Sequence, residues 1–153
     1  MAKAPPTVDE LGRILEQYKS LVSDVGNVGT RYATANGFYL SVLTAVLGVL
    51  AYVGTGKPFD QTSYPLILMV ALFAIAVCWI WNRTIAFYGS LFRAKFTVLK
   101  MLEQHLPVKV YTEEKAILDQ AGTKALSRNE AWVPIALGVF YGVIAAIALA
   151  KIS

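Results

Sequence analysis

The sequence predicts an all-α membrane protein with three transmembrane helices. Hydrophobic residues make up 56% of the 153 residues, and the mean hydropathy is +0.53, which is high for a soluble domain. Charged residues are absent from three runs of 25, 22 and 20 residues, at 32–56, 61–82 and 131–150. A helix of about 20 apolar residues crosses the ~30 Å hydrocarbon layer. The buried helices of a soluble bundle keep a polar stripe, and 66–81 and 134–150 have none.

Turn and capping residues divide the chain. Pro65 suits the first turn of span two, Pro107 ends a helix that continues from it, and Thr112 suits the N-cap of a short helix over 113–120. The sequence Ser-Arg-Asn-Glu at 127–130 resembles a capping box that opens span three. The predicted segments are a disordered lead (1–7), a cytoplasmic amphipathic helix continuous with span one (8–36), span one (37–54), span two (65–82), a cytoplasmic helical segment (83–130) and span three (131–150).

The basic residues predict the orientation. Twelve of the 14 Lys and Arg residues lie before span one or between spans two and three, and only Lys57 and Lys151 lie on the other side. Short cytoplasmic loops are enriched in Lys and Arg. We therefore expect a multi-pass protein of the plasma membrane with a cytoplasmic N-terminus and an external C-terminus. No basic cluster is interleaved with stacking aromatic residues, so no nucleic-acid partner is expected.

An apolar seam precedes span one. Its residues follow alternating spacings of three and four, which is a coiled-coil pattern, and they are Leu11, Ile14, Tyr18, Leu21, Val25, Val28 and Tyr32. A second apolar stripe runs from Ile85 to Leu106. Large apolar surfaces in water favour association. One chain can bury the seam and the second stripe against each other, and a ring of subunits buries them more completely.

Small residues line the predicted spans. Span three carries Gly138 and Gly142, followed by Ala146 and Ala150, and span one has a similar face with Gly37, Ser41, Ala45 and Gly48. Such residues allow close helix approach within or between subunits. The spans contain no Asp, Glu, Lys, Arg or His, which disfavours a transporter or proton pump.

The sequence shows no catalytic, cofactor or metal-binding motif. It contains one histidine, His105, which we interpret as a helix-end residue in preference to a pH sensor. Its one cysteine, Cys78, falls in span two and is interpreted as a packing residue, with no disulfide and no metal cluster. No enzymatic activity and no cofactor are predicted.

Three stretches resemble a known family. The first contains Tyr18-Lys-Ser-Leu-Val22 and 35–40 (Ala-Asn-Gly-Phe-Tyr-Leu), the second contains 94–96 (Ala-Lys-Phe) and Leu106-Pro107, and the third is 130–134 (Glu-Ala-Trp-Val-Pro). Together they resemble the RipA family of small octameric bacterial inner-membrane proteins, over about 15–141. Lys115 departs from the family's pattern, in which a Trp is expected. The resemblance implies three spans, a cytoplasmic helical portion and a homo-oligomeric ring.

The predicted function is a non-enzymatic homo-octameric membrane assembly with a cytoplasmic helical ring, whose partners are itself and membrane lipids. Packing is assigned to Leu11, Ile14, Tyr18, Leu21, Val25, Gly138 and Gly142, and polar contacts within or between subunits to Arg31, Asn36, Lys95 and Glu103. Two alternatives stay open. One is a pore-forming or membrane-disrupting effector of a bacterial defence or stress system, with a channel-like apolar gate. The other is an accessory subunit of another membrane complex.

Overall fold

The computed structural model describes residues 7–55, 63–120 and 130–152, and every regular element in these ranges is a helix. They are α1 (Val8–Thr55), α2 (Tyr64–Glu103), α3 (Val110–Gln120) and α4 (Trp132–Ile152). Helices α1, α2 and α4 are long and apolar enough to cross a membrane. The all-helical class and the three apolar helices are thereby confirmed. Most of the lead, the outer connection and the proposed capping box at 127–129 lie outside the described residues.

The start of α1 is fixed by a capping box. The backbone amide of Thr7 donates to Glu10 Oε2 at 2.8 Å, and the amide of Glu10 donates to Thr7 Oγ1 at 3.4 Å. This reciprocal pair satisfies amides that have no partner inside the helix. Thr7, which the sequence prediction assigned to the lead, is therefore the N-cap of α1. From Val8 the helix continues for 48 residues, and both the seam and predicted span one lie on it.

The ends of α2 agree with the two prolines that flank it. Pro65 is the second helical residue, where a missing amide proton costs nothing. After Glu103 the chain makes a turn in which the amide of Leu106 donates to the Glu103 carbonyl oxygen at 3.1 Å, and Pro107 follows. The predicted span two, 65–82, lies in the first half of this 40-residue helix.

The chain divides into two compact units, each made of parts of α1 and α2 with one further helix. The clamp unit contains the described residues of 1–32 and 87–126, and thus the seam, the end of α2 and α3. The span unit contains the described residues of 33–86 and 127–153, and thus the apolar parts of α1 and α2 together with α4. Each unit is described separately below.

The span unit has a core of small and medium-sized residues. On α2 the buried positions recur at spacings of four and three, which is the periodicity of left-handed helix packing; they are Ile67, Ala71, Ala74, Cys78, Trp81 and Ile85. Leu43 and Val46 of α1 and Tyr141, Ala145 and Ala148 of α4 complete the core. Alanine at these positions lets the helix backbones approach closely.

Candidate functional site: the Glu103 clamp

The clamp unit contains one fully buried carboxylate. Glu103 is 1% exposed and accepts hydrogen bonds from two other helices. Tyr18 of α1 donates its hydroxyl to Oε1 at 3.0 Å. Thr112 of α3 donates its hydroxyl to Oε2 at 2.8 Å. A buried charge is tolerated only when hydrogen bonds or ions compensate for the lost hydration, and Glu103 meets this condition.

The same carboxylate caps the N-terminus of α3. The backbone amide of Tyr111 donates to Glu103 Oε1 at 2.6 Å, and that of Thr112 donates to Oε2 at 3.1 Å. These are amides of the first helical turn, which have no partner within the helix and which attract negative charge. The prediction that Thr112 caps a helix over 113–120 was therefore wrong. Helix α3 begins at Val110, because a carboxylate from the preceding helix supplies the cap and uses the Thr112 hydroxyl as a donor.

These hydrogen bonds determine the ionisation of the site. Burial, the largest single effect, raises the pKa of Glu103, but the hydrogen bonds from Tyr111, Thr112 and Tyr18 together outweigh it and lower that pKa below its usual value. Burial and the neighbouring Glu103 carboxylate raise the pKa of the Tyr18 hydroxyl. We call Glu103 with Tyr18, Tyr111 and Thr112 the Glu103 clamp. At neutral pH it therefore holds an ionised Glu103 and a protonated Tyr18.

Aromatic rings pack beside the clamp. Phe96 of α2 and Tyr111 of α3 stack in near-parallel planes with their centroids 4.8 Å apart, and Phe92 stacks on Phe96 at 6.1 Å. Tyr32 of α1 contacts Tyr88 and Phe92 of α2 at 5.3 and 6.2 Å. Such pairs add about 0.5–1.5 kcal/mol each beyond their area burial. The two Tyr32 pairs join α1 to α2, which run antiparallel within the clamp unit, and the Phe96–Tyr111 pair joins α2 to α3.

The seam is half-buried within the chain. Leu11, Ile14, Tyr18, Leu21 and Val25 all have intermediate exposure, and Val28 is buried. The contacts of Tyr18 with Glu103 and of Tyr32 with Tyr88 show that this side of α1 faces α2. Much of the surface of the seam is therefore used inside one chain, and its role between subunits stays a prediction.

Three of the four residues predicted to make polar contacts have partners in the chain. Glu103 forms the clamp, Lys95 forms an ion pair with Asp24 of α1, and Asn36 accepts a hydrogen bond from Trp81 Nε1 at 2.8 Å in the span unit. Arg31 is exposed, and the described residues give its side chain no hydrogen bond or ion pair. Arg31 thus has a charge without an intrachain partner in this part of the structure.

Two tyrosine hydroxyls of the span unit also make hydrogen bonds between helices. Tyr39 stacks on Trp81 with centroids 5.9 Å apart, and its hydroxyl lies 3.1 Å from Thr84 Oγ1. Tyr141 of α4 is 0% exposed and donates its hydroxyl to the Leu43 carbonyl oxygen of α1 at 2.9 Å. The first hydrogen bond joins α1 to α2, and the second joins α4 to α1.

The two glycines of α4 have different surroundings. A Cβ atom built on Gly138 lies 3.6 Å from Cys78 Cβ, an ordinary contact, whereas one built on Gly142 meets nothing within 4 Å. Gly138 therefore packs against α2 of the same chain. The space beside Gly142 is open in the single chain.

Apolar grooves mark the surface of the span unit. One groove between α1 and α2 has a volume of about 440 Å³ and is lined by Val42, Ala45, Val46, Val49, Met69, Val70 and Phe73. A second, of about 330 Å³, is lined mainly by apolar residues with Lys151 at its edge. No group of His, Cys, Asp and Glu within the described ranges has the geometry of a metal site.

A comparison with models of known protein families identifies the family of this chain. Residues 15–150 match the model of the octameric membrane protein family, 8xMP. The chain belongs to this family. The predicted resemblance to a family of octameric membrane proteins is thereby confirmed. No curated protein and no solved structure matches the chain significantly.

The sequence predictions did not identify several residues that form hydrogen bonds or ion pairs between helices in the structure. Sequence reasoning selected Glu103 and Lys95 but not their partners Tyr111 and Asp24, it assigned Thr112 to a helix cap, and it selected neither Tyr141 nor the Trp81 donor. The partners lie between 8 and 98 residues away along the chain, so helical periodicity carries no signal for them. One signal was available for Tyr141, because a hydroxyl in an apolar span needs an acceptor.

Proposed function

We propose that this chain is the subunit of a non-enzymatic homo-octamer in the bacterial inner membrane, with a helical ring on the cytoplasmic side built from clamp units. The observation that carries the proposal is the match to the octameric membrane protein family over residues 15–150. The proposed role is a structural membrane assembly whose partners are further copies of itself and membrane lipids.

The burial of the apolar helices supports self-association. In the most apolar 18-residue windows of α1, α2 and α4, only 11%, 28% and 22% of residues are buried within the chain. Lipid covers such surfaces in a monomer, but close packing against a second copy adds dispersion contacts. The open space beside Gly142 and the exposed small residues Gly37, Ser41, Ala45 and Gly48 of α1 suit such packing.

Native mass spectrometry of the protein extracted with its lipids tests the octamer. We expect one assembly of eight chains. The matched pair Gly142→Leu and Gly142→Ala refines the test, because a Cβ atom at Gly142 meets no described atom of another helix within 4 Å. A leucine there should weaken the assembly while alanine preserves it. Gly138→Leu is the less informative variant, because its side chain meets Cys78 in the same chain. Monomeric protein in both lipid and mild detergent contradicts the proposal.

The orientation is proposed from the twelve-to-two distribution of Lys and Arg. Single cysteines at Lys19 and Lys151 in a Cys78→Ala background test it with a membrane-impermeant maleimide. In right-side-out membranes we expect labelling of Lys151→Cys and protection of Lys19→Cys, and the reverse in inverted vesicles. The opposite labelling pattern places the clamp unit outside.

A pore is the second candidate because the family forms oligomers and α1, α2 and α4 are each able to span a membrane. The predicted spans contain no ionisable residue, so any pore would have apolar walls. Dye and ion flux from liposomes that contain the octamer distinguishes the two functions. Flux above that of empty liposomes favours the pore, and its absence together with an intact octamer favours the structural assembly.

A further inference from the structure

Helix α3 has an exposed acidic face whose side chains make no hydrogen bond, ion pair or ring contact with the other described residues. At helical spacing Val110, Glu113, Glu114 and Ile117 lie on one side of α3, which we call the acidic face. Val110 is 56% and Ile117 66% exposed, and no residue of α3 is buried. An 11-residue helix is marginal in water without tertiary packing. The contacts of α3 with α2 that the structure describes lie at its N-terminus, in the bonds to Glu103 and the stacking of Tyr111 on Phe96.

The second half of α2 has an exposed face of opposite character. Its apolar residues are Phe87, Val98 and Met101, which are 64%, 48% and 56% exposed. Arg93 and Lys100 are also exposed, on the flank of α2 that lies roughly 80–160° around the helix from these apolar residues. We call these five residues the basic-edged face. The inner side of this part of α2, with Leu99 and Glu103, is the side that packs within the clamp unit.

The two faces have complementary charges, and the acidic face is the shorter of the two. Each has large apolar side chains beside charges of one sign, acidic on α3 and basic on α2. The apolar residues of α2 extend from Phe87 to Met101, or about 21 Å of helix, and the acidic face from Val110 to Ile117, or about 10 Å, so the acidic face fits within the length of the basic-edged face. The exposed face of α1 is a weaker match, because it carries both signs in Arg13, Glu16 and Lys19.

We propose that the acidic face of α3 docks on the basic-edged face of α2 in the next copy of the chain. This inference rests on the proposed octamer and names its contact. A contact between two different faces runs head to tail and forms a ring when its rotation closes, whereas a self-complementary face gives a dimer. The Glu103 clamp fixes the start of α3 and so orients the acidic face before docking.

Charge reversal tests the contact. Glu113→Lys with Glu114→Lys reverses α3, and Arg93→Glu with Lys100→Glu reverses α2. Each double variant alone should raise the concentration at which the octamer dissociates by at least tenfold. The two variants mixed should form octamers again, with four chains of each kind, because every contact in an alternating ring then joins opposite charges. Native mass spectrometry with one variant isotopically labelled measures this composition.

The matched control lies on the opposite side of α3. Lys115→Glu with Asp119→Lys exchanges two exposed charges without changing the net charge, and it should leave the octamer unchanged. Circular dichroism checks that each variant keeps the wild-type helix content. The inference is overturned if the wild type is octameric and both reversals remain so, or if the mixture forms no mixed ring. A wild type that is not octameric contradicts the proposed function itself.

A cross-link gives a second readout that does not depend on charge. In a Cys78→Ala background, Val98→Cys with Ile117→Cys should form disulfides between chains, and a denaturing gel should show a ladder up to eight chains. Val98→Cys with Asp119→Cys is the matched control and should cross-link at a rate at least tenfold lower. Cross-links confined to single chains overturn the proposal. The proposal is also overturned if the protection of α3 against hydrogen exchange requires a bilayer but not the oligomer, because the acidic face then contacts the membrane surface.

Discussion

The clamp unit and the span unit hold the same two helices together by different means. In the clamp unit α1 and α2 are joined by a buried carboxylate, an ion pair and aromatic stacking. In the span unit they are joined by fully buried alanines and a few hydrogen bonds from aromatic side chains. The hydrophobic effect drives apolar burial in water, whereas between apolar helices in lipid only packing and satisfied polar groups remain. The clamp unit is therefore sensitive to lost polar partners, and the span unit to added volume.

Removal of the clamp should have the largest effect. Glu103→Ala leaves the Tyr111 and Thr112 amides and the two hydroxyls without their acceptor, and each buried unsatisfied group costs about 1–3 kcal/mol. We expect a loss of about 3 kcal/mol or more in the stability of the clamp unit. Hydrogen exchange should then be faster throughout 110–120. Glu103→Gln, which keeps an acceptor oxygen, should lose less, and equal exchange in wild type and Glu103→Ala contradicts the assignment.

Acid should reproduce part of this effect without a mutation. The pKa of Glu103 is lowered in the folded clamp, so the unfolded state binds the proton more tightly. The stabilisation is fully present above the unfolded pKa of about 4.3 and is lost as the pH falls through the lower folded pKa. We expect α3 amides to lose protection below about pH 4. Glu103→Gln should show no such dependence in 110–120, and a dependence that persists in this variant assigns the titration to another group.

Added volume should affect the span unit next most strongly. Ala74 is 0% exposed, and extra methyl groups in a well-packed core cost about 1–3 kcal/mol. Ala74→Leu should lower the midpoint of thermal unfolding in detergent. Ala76→Leu is the matched control, because Ala76 lies on the same helix and is exposed. Equal midpoints for the two variants show that α2 does not pack by this face.

The smallest effect should come from the Tyr141 hydroxyl. Tyr141→Phe removes one hydrogen bond to the Leu43 carbonyl oxygen, and such bonds in membrane proteins average about 0.6 kcal/mol. The Leu43 carbonyl lies within α1 and keeps its helical bond, so no acceptor is left unsatisfied. A steric-trapping measurement of unfolding in bicelles resolves this difference. A loss larger than that of Ala74→Leu reverses the expected order for the span unit.

Much of the fold could be predicted from sequence because it depends on local periodicity. Three uncharged runs and their prolines gave three membrane helices, since the length of an apolar run is set by the thickness of the bilayer. The seam positions could be predicted for the same reason, because alternating spacings of three and four place residues on one side of a helix. The start of α3 could not be predicted from local sequence, since its cap comes from Glu103 on the preceding helix.

The sequence by itself determined that the chain has three apolar spans, an amphipathic seam and a kinship with octameric membrane proteins. Only the tertiary structure decided which polar residues meet. It joined Glu103 to α1 and α3, gave Lys95 the partner Asp24, and left Arg31 exposed. It also showed that Gly138 packs against Cys78, whereas the space beside Gly142 is open. The physical reason is that periodicity fixes the face of one helix, whereas a contact depends on the register between two.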